Sequence, residues 1–210
     1  GYILKVVNSA SDADDYFLKF NSDNFDPSAS GDQFGVGAWE ETVAPNLEIS
    51  FDPDTMPIKI QRELPGSTHT NGRFLVRKID WIDRQVGDDI TNPIPSFVGQ
   101  PINKILFFRN RLVLLSEENV IVSRQNDFFN FFAKTALTVS PVDPVDIQAS
   151  STYPHVLFDG IETNTGLILF SSNQQFMLTT DSDAFGPETA KVNNLSSYNF
   201  DSKTNPVTLG

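Results

Sequence analysis

Residues 105–123 read ILFFRNRLVLLSEENVIVS, and this stretch decides the fold class. Its three apolar runs are rich in Leu, Ile, Val and Phe, and two short polar segments, residues 109–111 and 116–119, separate them. Apolar runs of this length between turn residues are typical of neighbouring antiparallel strands. The stretch therefore predicts a three-stranded meander.

A second, more divergent copy of this pattern lies 55 residues further along the chain. Residues 167–171, LILFS, correspond to residues 112–116, and residues 175–178, QFML, correspond to residues 120–123. A strand–turn–strand unit that recurs about every 50 residues is typical of β-propeller blades. Two hairpins of one β-sandwich would also give two copies, so the pattern leaves both architectures open.

The rest of the chain also favours strands over helices. Short alternating or β-branched runs lie at residues 16–20, 39–43, 58–62 and 74–79. The best helix candidate is a single turn over residues 126–132, with Asn126 or Asp127 as its cap. The sequence predicts a mostly β fold of antiparallel meanders with very little helix.

A change in composition at residues 84–98 predicts a boundary within the chain. This polar connector contains Pro93 and Pro95, which force extended backbone before them. We expect a β subdomain at residues 1–98, with a polar loop at 21–37, and blade-like meanders at 99–210. Because the chain lacks an initiator Met and stops where a strand is predicted to begin, we expect it to be a fragment of a longer protein.

The charge balance is acidic, with 15 Lys and Arg against 27 Asp and Glu and a net charge of −12. Tight nucleic-acid binding comes mainly from Lys and Arg that displace counterions, so this balance predicts poor phosphate binding. The acidity fits a surface that DNA passes without sticking, and equally one that only needs to stay soluble. No Cys is present, which fits assembly in a reducing cytosol. No apolar run of 18 residues occurs, so we expect no membrane insertion.

Residues with catalytic chemistry are few. The two histidines, His69 and His155, have no His, Cys or Glu partner at metal-binding spacing, and no hydrolase elbow, Walker loop or dinucleotide fingerprint occurs. Carboxylate pairs occupy adjacent positions, which point to opposite faces of a strand. The acidic segments 181–188 and 52–54 are more typical of turns than of calcium sites. We predict that the chain is not an enzyme and holds neither a cofactor nor a metal.

Basic and aromatic residues alternate between Lys104 and Phe132. Such a mixture can bind single-stranded nucleic acid, but Arg109 and Arg111 flank Asn110 in a predicted hairpin turn, where charges normally face water. The cluster at residues 128–132, FFNFF, must be covered, because four exposed Phe side chains would forfeit roughly 6–12 kcal/mol of burial. Core packing and a subunit interface both remain open for this cluster.

Ordered blocks of residues within 39–42, 51–57, 84–99 and 102–138 together resemble the tail tubular protein B family, the tail nozzle proteins of short-tailed phages (podoviruses). The resemblance begins at residues 16–20, ends near Val192, and includes WEET at 39–42 and FDP at 51–53. The residues that carry the family signature are Arg84, Gly87, Asp88, Asp89, Asn92, Pro93, Pro95, Phe97, Arg109, Asn110, Arg111, Phe128, Phe129, Phe131 and Phe132.

The resemblance implies a structural role. Proteins of this family are several times longer than this chain and form a hexameric ring below the portal adaptor, with propeller-like β domains. The lumen of the ring is the conduit for double-stranded DNA, and no catalytic residues are expected in this region. We therefore expect a homo-hexameric wall segment in the virion tail, next to tail adaptor and tail fibre proteins, past which DNA moves without specific binding.

Two other functions stay open as alternatives. A carbohydrate-binding module that recognises the host surface would need solvent-facing aromatic side chains, for which Trp39 and Trp81 are the candidates. A tail-associated glycan hydrolase would need two carboxylates from distant segments that face each other across a cleft.

Overall fold

The computed structural model describes residues 2–11, 15–23, 35–63 and 72–207. Within these ranges no residue is helical, and the chain forms strands joined by turns. The strands are β1 (Ile3–Val6), β2 (Tyr16–Ser22), β3 (Gly37–Thr42), β4 (Ile58–Glu63), β5 (Arg73–Lys78), β6 (Lys104–Phe108), β7 (Arg111–Ser116), β8 (Asn119–Val122), β9 (Val145–Gln148), β10 (Leu157–Glu162), β11 (Leu167–Ser171), β12 (Gln175–Thr180) and β13 (Ala190–Ser196).

The strands form four sheets in which neighbours along the chain are neighbours in space. Their orders are β1-β2-β3, β4-β5, β6-β7-β8-β9 and β10-β11-β12-β13, and every pair within them is antiparallel. This confirms the predicted mostly β fold of antiparallel meanders. The two four-stranded meanders have the strand order of propeller blades, but the described residues do not close into a ring.

The 55-residue repeat is present in the structure. Strands β6, β7 and β8 match β10, β11 and β12 in order and pairing, while the fourth strands, β9 and β13, lie at a different spacing and were not predicted. Arg109 and Asn110 both have positive φ, 49° and 58°, as the two-residue turn between twisted antiparallel strands requires. The predicted turn therefore ends one residue earlier than expected, and Arg111 is the first residue of β7.

The main core lies between the two meanders, where β10 contacts β6 and β7, and β13 contacts β9. Its buried members are Phe108, Val113, Leu115, Val120, Val122, Val145, Ala149, Leu157, Leu167, Leu169, Phe176, Leu178, Phe185 and Ala190. Both sheets contribute inward-facing side chains, which gives each meander the cover that a lone sheet lacks.

A second core covers the opposite face of β7 and β8. Its buried residues are Phe97, Leu112, Leu114, Ile121 and Phe131, with Phe51, Met56, Trp81 and Ile102 packed against them. Because β7 has one core on each side, all six of its residues are buried. Residues from both sides of the predicted boundary at 98 share this core; the boundary itself stays a prediction.

The structure corrects the predicted helical turn and the predicted loop, and it does not describe His69. The predicted helical turn at residues 126–132 is wrong: Asn126 has a φ of 60°, and Arg124 forms a β-bridge with Asp127. The predicted loop at 21–37 is shorter at both ends, because Asn21 and Ser22 belong to β2 and Gly37 begins β3; its residues 24–34 lie outside the described ranges. His69 also lies outside them. Among the described residues, no helix is long and apolar enough to cross a membrane.

Candidate functional site

The connector at 84–98 is held in place by backbone pairing at Gly87. Gly87 forms a parallel bridge with Val43, its amide donates to the Thr42 carbonyl at 3.2 Å, and its carbonyl accepts from Ala44 at 2.9 Å. Its φ is +80°, and a Cβ there would lie 2.7 Å from Thr91 Oγ1. A side chain at this position would therefore be strained in its backbone and would also collide with its neighbour.

Asp88 and Asn92 shape the turn that follows. The Asp88 carboxylate accepts hydrogen bonds from the Ile90 and Thr91 amides at 3.0 and 2.9 Å and from the Thr91 hydroxyl at 3.0 Å. Partial burial acts to raise the pKa of Asp88, but these bonds outweigh it and the pKa lies below its usual value. The Asn92 side chain donates to the Val86 carbonyl and accepts from the Ala133 amide at 2.9 Å. The turn is thereby joined to the segment that follows the Phe cluster.

Arg84 anchors the start of the connector from inside the protein. Its side chain is fully buried, and it donates to Asp89 Oδ1 at 2.8 Å, to the Asn92 carbonyl at 3.1 Å and to the Glu48 carbonyl at 2.5 Å. The Arg84 amide also donates to the Ile49 carbonyl. One guanidinium group therefore fixes the connector to the loop before β4, a contact across 36 residues of sequence.

Arg111 likewise joins segments of the two meanders through hydrogen bonds of its buried guanidinium group. It is 1% exposed, and its guanidinium donates to the carbonyls of five residues: Ser123, Pro141, Val142, Asp143 and Phe185. Burial lowers the pKa of Arg111 to about 10, which Asp143 opposes and Arg124 reinforces, so the side chain keeps its charge at neutral pH. The expectation that Arg111 faces water is therefore wrong, because it stands inside β7 instead of in the turn. Arg109, in the turn, is exposed as expected.

The Phe cluster divides between the second core and the surface. Phe131 and Phe132 are each 3% exposed; Phe132 stacks on Phe51 at 5.2 Å, and Phe131 meets Phe97 edge-on at 5.4 Å. Phe129 is half-buried, with its ring 5.5 Å from that of Trp81. Core packing thus accounts for three of the four rings. Phe128 is 38% exposed and meets Phe107, itself 61% exposed, edge-on at 5.5 Å.

The structure separates the two Trp candidates. Trp81 packs in the second core with its indole nitrogen buried, so it offers no solvent-facing platform. Trp39 is 46% exposed and packs edge-on between Phe20 and Tyr2, which is itself 70% exposed.

A cleft of about 860 Å³ opens beside the second core. Segments 48–57 and 97–105 form most of its walls, and Ile49, Val98 and Ile105 line it while each remains more than 40% exposed. Glu48 and Asp52 lie in the same lining. Among the described residues that line it, the one basic side chain is Lys104, which is paired with Asp159 at 2.8 Å. The cleft is therefore apolar with an acidic margin.

The remaining polar candidates have structural partners. His155 is 7% exposed and stacks on Phe176 at 4.8 Å. Asp52 accepts from the Asp54 amide in a turn, and Asp181 pairs with Lys191. Within the ranges that the structure covers, no group of three His, Cys, Asp or Glu side chains is arranged to hold a metal ion. The site that the geometry does build is structural. Arg84, Asn92 and Arg111, here called the clamps, are buried side chains whose hydrogen bonds join segments that are far apart in sequence.

A family model for bacteriophage nozzle proteins matches this chain over residues 1–210. The chain belongs to that family. It is also 31% identical, over 211 residues, to tail tubular protein gp12 of Escherichia phage T7; the aligned region covers all of this chain and 24% of that protein. The chain thus spans about a quarter of the length of the curated relative that it matches.

Membership of the nozzle family confirms the family predicted from the ordered motif blocks. It also confirms the predicted role as a structural protein and the predicted location in the virion tail. The clamps of this nozzle segment show what sequence reasoning missed. Glu41, at the end of β3, accepts from the Thr135 hydroxyl at 2.7 Å and from the Ala136 amide. No local signal marked that contact, because it joins residues 94 and 95 positions apart. Burial of Arg111 could have been inferred from a two-residue turn, which leaves Arg111 in the strand.

Proposed function

We propose that this chain forms part of the wall of the phage tail nozzle, as one of six copies in a ring whose lumen is the conduit for double-stranded DNA. The observation that carries the proposal is the match of the whole chain to the nozzle family. The T7 relative carries the name tail tubular protein, which fits a wall of this kind.

The clamps make the segment rigid, and rigidity is a property that the wall of a tube needs. Arg84, Arg111 and Asn92 each join segments that are far apart in sequence, through hydrogen bonds shielded from water. Hydrogen-bonded polar groups inside a protein make its structure rigid and specify one arrangement. Arg84 contributes through its two terminal nitrogens, whereas its buried Nε has no hydrogen-bond partner. A rigid segment suits a tube that keeps its bore while DNA moves through it.

The acidic surface supports passage of DNA without capture. With a net charge of −12, the chain repels phosphates on average, and the release of counterions that drives nucleic-acid binding needs Lys and Arg contacts. We propose that this wall segment has no catalytic task, cofactor or metal; in support, no group of three His, Cys, Asp or Glu side chains within the described ranges is arranged to hold a metal ion.

Two finer points belong to this proposal. Residues 1–98 and 99–210 are two subdomains; both contribute residues to the second core, and the connector at 84–98 ends the first of them. In the assembled virion, tail adaptor and tail fibre proteins are the neighbours of the ring.

Electron microscopy of the full-length nozzle protein tests the proposal. We expect a sixfold ring with a central hole; particles without a hole would contradict the conduit. A salt titration with double-stranded DNA tests the passage of DNA, and we expect no binding of the ring at physiological salt. Submicromolar binding there would contradict the acidic conduit.

Recognition of host glycans by the exposed Tyr2–Trp39 pair is a second candidate function, because aromatic rings that face solvent are the usual platforms for sugars. A glycan array that compares the full-length protein with its Trp39→Ala variant tests whether this pair binds sugars. Signals that vanish in Trp39→Ala would favour this function, and an array without signal would remove it.

A further inference from the structure

The hairpin of β4 and β5, here called the arm (residues 58–63 and 73–78), has an uncovered apolar face. Ile60 pairs with Val76 and Ile58 with Lys78, so Ile58, Ile60, Phe74 and Val76 lie on one face. These four side chains are 57%, 69%, 72% and 65% exposed. The arm forms a sheet of its own and supplies no residue to either of the two described cores. An isolated two-stranded hairpin is marginal in water, so this face calls for a partner.

The charge of the arm is opposite to that of the rest of the chain. The arm contains Lys59, Arg62, Arg73, Arg77 and Lys78 but only one acidic residue, Glu63, which gives it a charge of +4. Two of its basic residues are paired within the same copy, Arg73 with Glu63 and Lys78 with Asp54. The rest of the chain has ten Lys and Arg against 26 Asp and Glu, a balance of −16. The arm therefore suits a partner that is both apolar and acidic.

The cleft beside the second core has that character. Ile49, Val98 and Ile105 are exposed in it, and Glu48 and Asp52 belong to its lining. Lys104, the only basic residue in the part of its lining that the structure describes, is paired with Asp159. Each copy of the chain thus carries two uncovered apolar surfaces of opposite charge. Two different surfaces that fit each other generate a head-to-tail contact, which closes into a ring when the rotation allows.

We propose that the apolar face of the arm docks in the cleft of a neighbouring copy of this chain. This inference rests on the proposed ring and names the contact that joins its subunits. DNA would satisfy the basic residues of the arm but leaves its four apolar side chains exposed, so a second copy of the chain fits better.

Photo-crosslinking in the full-length nozzle protein tests the contact directly. A benzophenone side chain placed at Phe74 should form cross-links between copies, and the cross-linked peptides should come from residues 48–57 or 97–105. A mixture of isotopically labelled and unlabelled protein distinguishes cross-links between copies from those within one copy. The same probe at Tyr198, which is 76% exposed and far from the arm in sequence, is the matched control and should give no such products.

Substitution of the arm gives a second readout. The pair Ile60→Ser and Phe74→Ser should shift the protein from rings to smaller species in native mass spectrometry. The pair Tyr153→Ser and Tyr198→Ser, at side chains of similar exposure (65% and 76%), should leave the rings intact. Both variants should keep the circular dichroism spectrum of the wild-type protein, because none of the four side chains is buried.

The outcomes separate the two proposals. If wild-type protein forms rings but the probe at Phe74 cross-links only within one copy, to another surface or to DNA, the docking of the arm is overturned and the ring stands. Rings that persist in the Ile60→Ser, Phe74→Ser variant would also overturn it. If wild-type protein forms no ring at all, the proposed function fails first, and the docking fails with it.

Discussion

Strands β5 and β7 have the same length and similar shares of apolar residues, yet β5 is exposed to solvent and β7 is buried. All six residues of β7 are buried between two cores, whereas five of the six residues of β5 are exposed and one is half-buried. Strand β7 pairs on both sides, while β5 pairs only with β4. In this chain, stability comes from the meanders and the second core, and the arm takes its order from one hairpin alone.

The contrast shows that apolar content does not tell an internal strand from an exposed one. Phe74, Val76 and Leu75 would suit a core as well as Leu112, Val113 and Leu114 do. The two strands differ in the number of charged residues that accompany the apolar ones. Strand β5 begins with Arg73 and ends with Arg77 and Lys78, whereas the one charge of β7 is the clamped Arg111. The charges of β5 lie at the surface, where Arg73 pairs with Glu63 and Lys78 with Asp54, and surface charges of this kind mark a strand that faces water or a partner.

The largest expected effect comes from truncation of a ring in the second core. Phe131→Ala removes a ring that is 3% exposed and leaves a cavity, so we expect a loss of about 3–5 kcal/mol in unfolding free energy. Phe74→Ala in the arm, at a ring that is 72% exposed, should change it by less than about 0.5 kcal/mol. Urea unfolding followed by circular dichroism measures both. Equal losses would show that the arm is as much a part of the stable structure as the core.

The next effect separates a buried arginine from an exposed one. Arg111→Met keeps the aliphatic length but removes the guanidinium from five carbonyl groups, of which, within the described residues, only that of Val142 keeps a backbone donor, the Gln125 amide, and we expect a loss of roughly 3 kcal/mol. Arg77→Met in the arm should stay within about 0.5 kcal/mol of the wild-type protein. Thermal unfolding of the two variants under identical conditions is the measurement. A nearly neutral Arg111→Met would mean that methionine packing replaces the clamp.

Local features were predictable from sequence, and long-range ones were not. The meander at 105–123 and its repeat follow from short apolar runs and turn residues, which act within a few positions of one another. The clamp of Arg111 depends on carbonyls up to 74 residues away, and no pattern in the sequence marks such a contact. Strand β13 was missed because Asn193, Asn194 and Ser196 interrupt its apolar pattern, yet it completes its sheet by pairing with β12.

The error at residues 126–132 has a physical reason of the same kind. Asn130 accepts from the Phe132 amide through its side chain and donates to Asp127, and such local bonds compete with helical ones. The rings of the second core then take up Phe131 and Phe132, while Phe128 stays at the surface against Phe107. The cluster itself was recognisable from sequence, but its division between core and surface needed the fold.

Two glycines with positive φ allow strain and collision to be told apart. Gly87 and Gly99 have φ values of +80° and +78°, but a Cβ would collide only at Gly87, since nothing lies within 4 Å of one at Gly99. Gly99→Ala should therefore cost about 1 kcal/mol, the strain of the backbone alone, and Gly87→Ala about 2–3 kcal/mol. Chemical denaturation of both variants measures the difference. Equal costs would show that the connector shifts to accept the methyl group.

The smallest expected effect concerns pH and the turn at Asp88. Because the folded pKa of Asp88 is lowered, the ionised carboxylate stabilises the fold above the ordinary aspartate pKa of about 4, and this contribution is lost as pH falls through the folded pKa. Asp88→Ala should therefore cost about 1 kcal/mol at pH 7 and progressively less toward pH 2. Gln85→Ala, at an exposed side chain of the connector that does not titrate, is the control and should shift stability by the same small amount at every pH. If the cost of Asp88→Ala stayed constant down to pH 2, the charge of the carboxylate would not matter, and the protonated side chain of Asp88 would stabilise the turn as well as the ionised one.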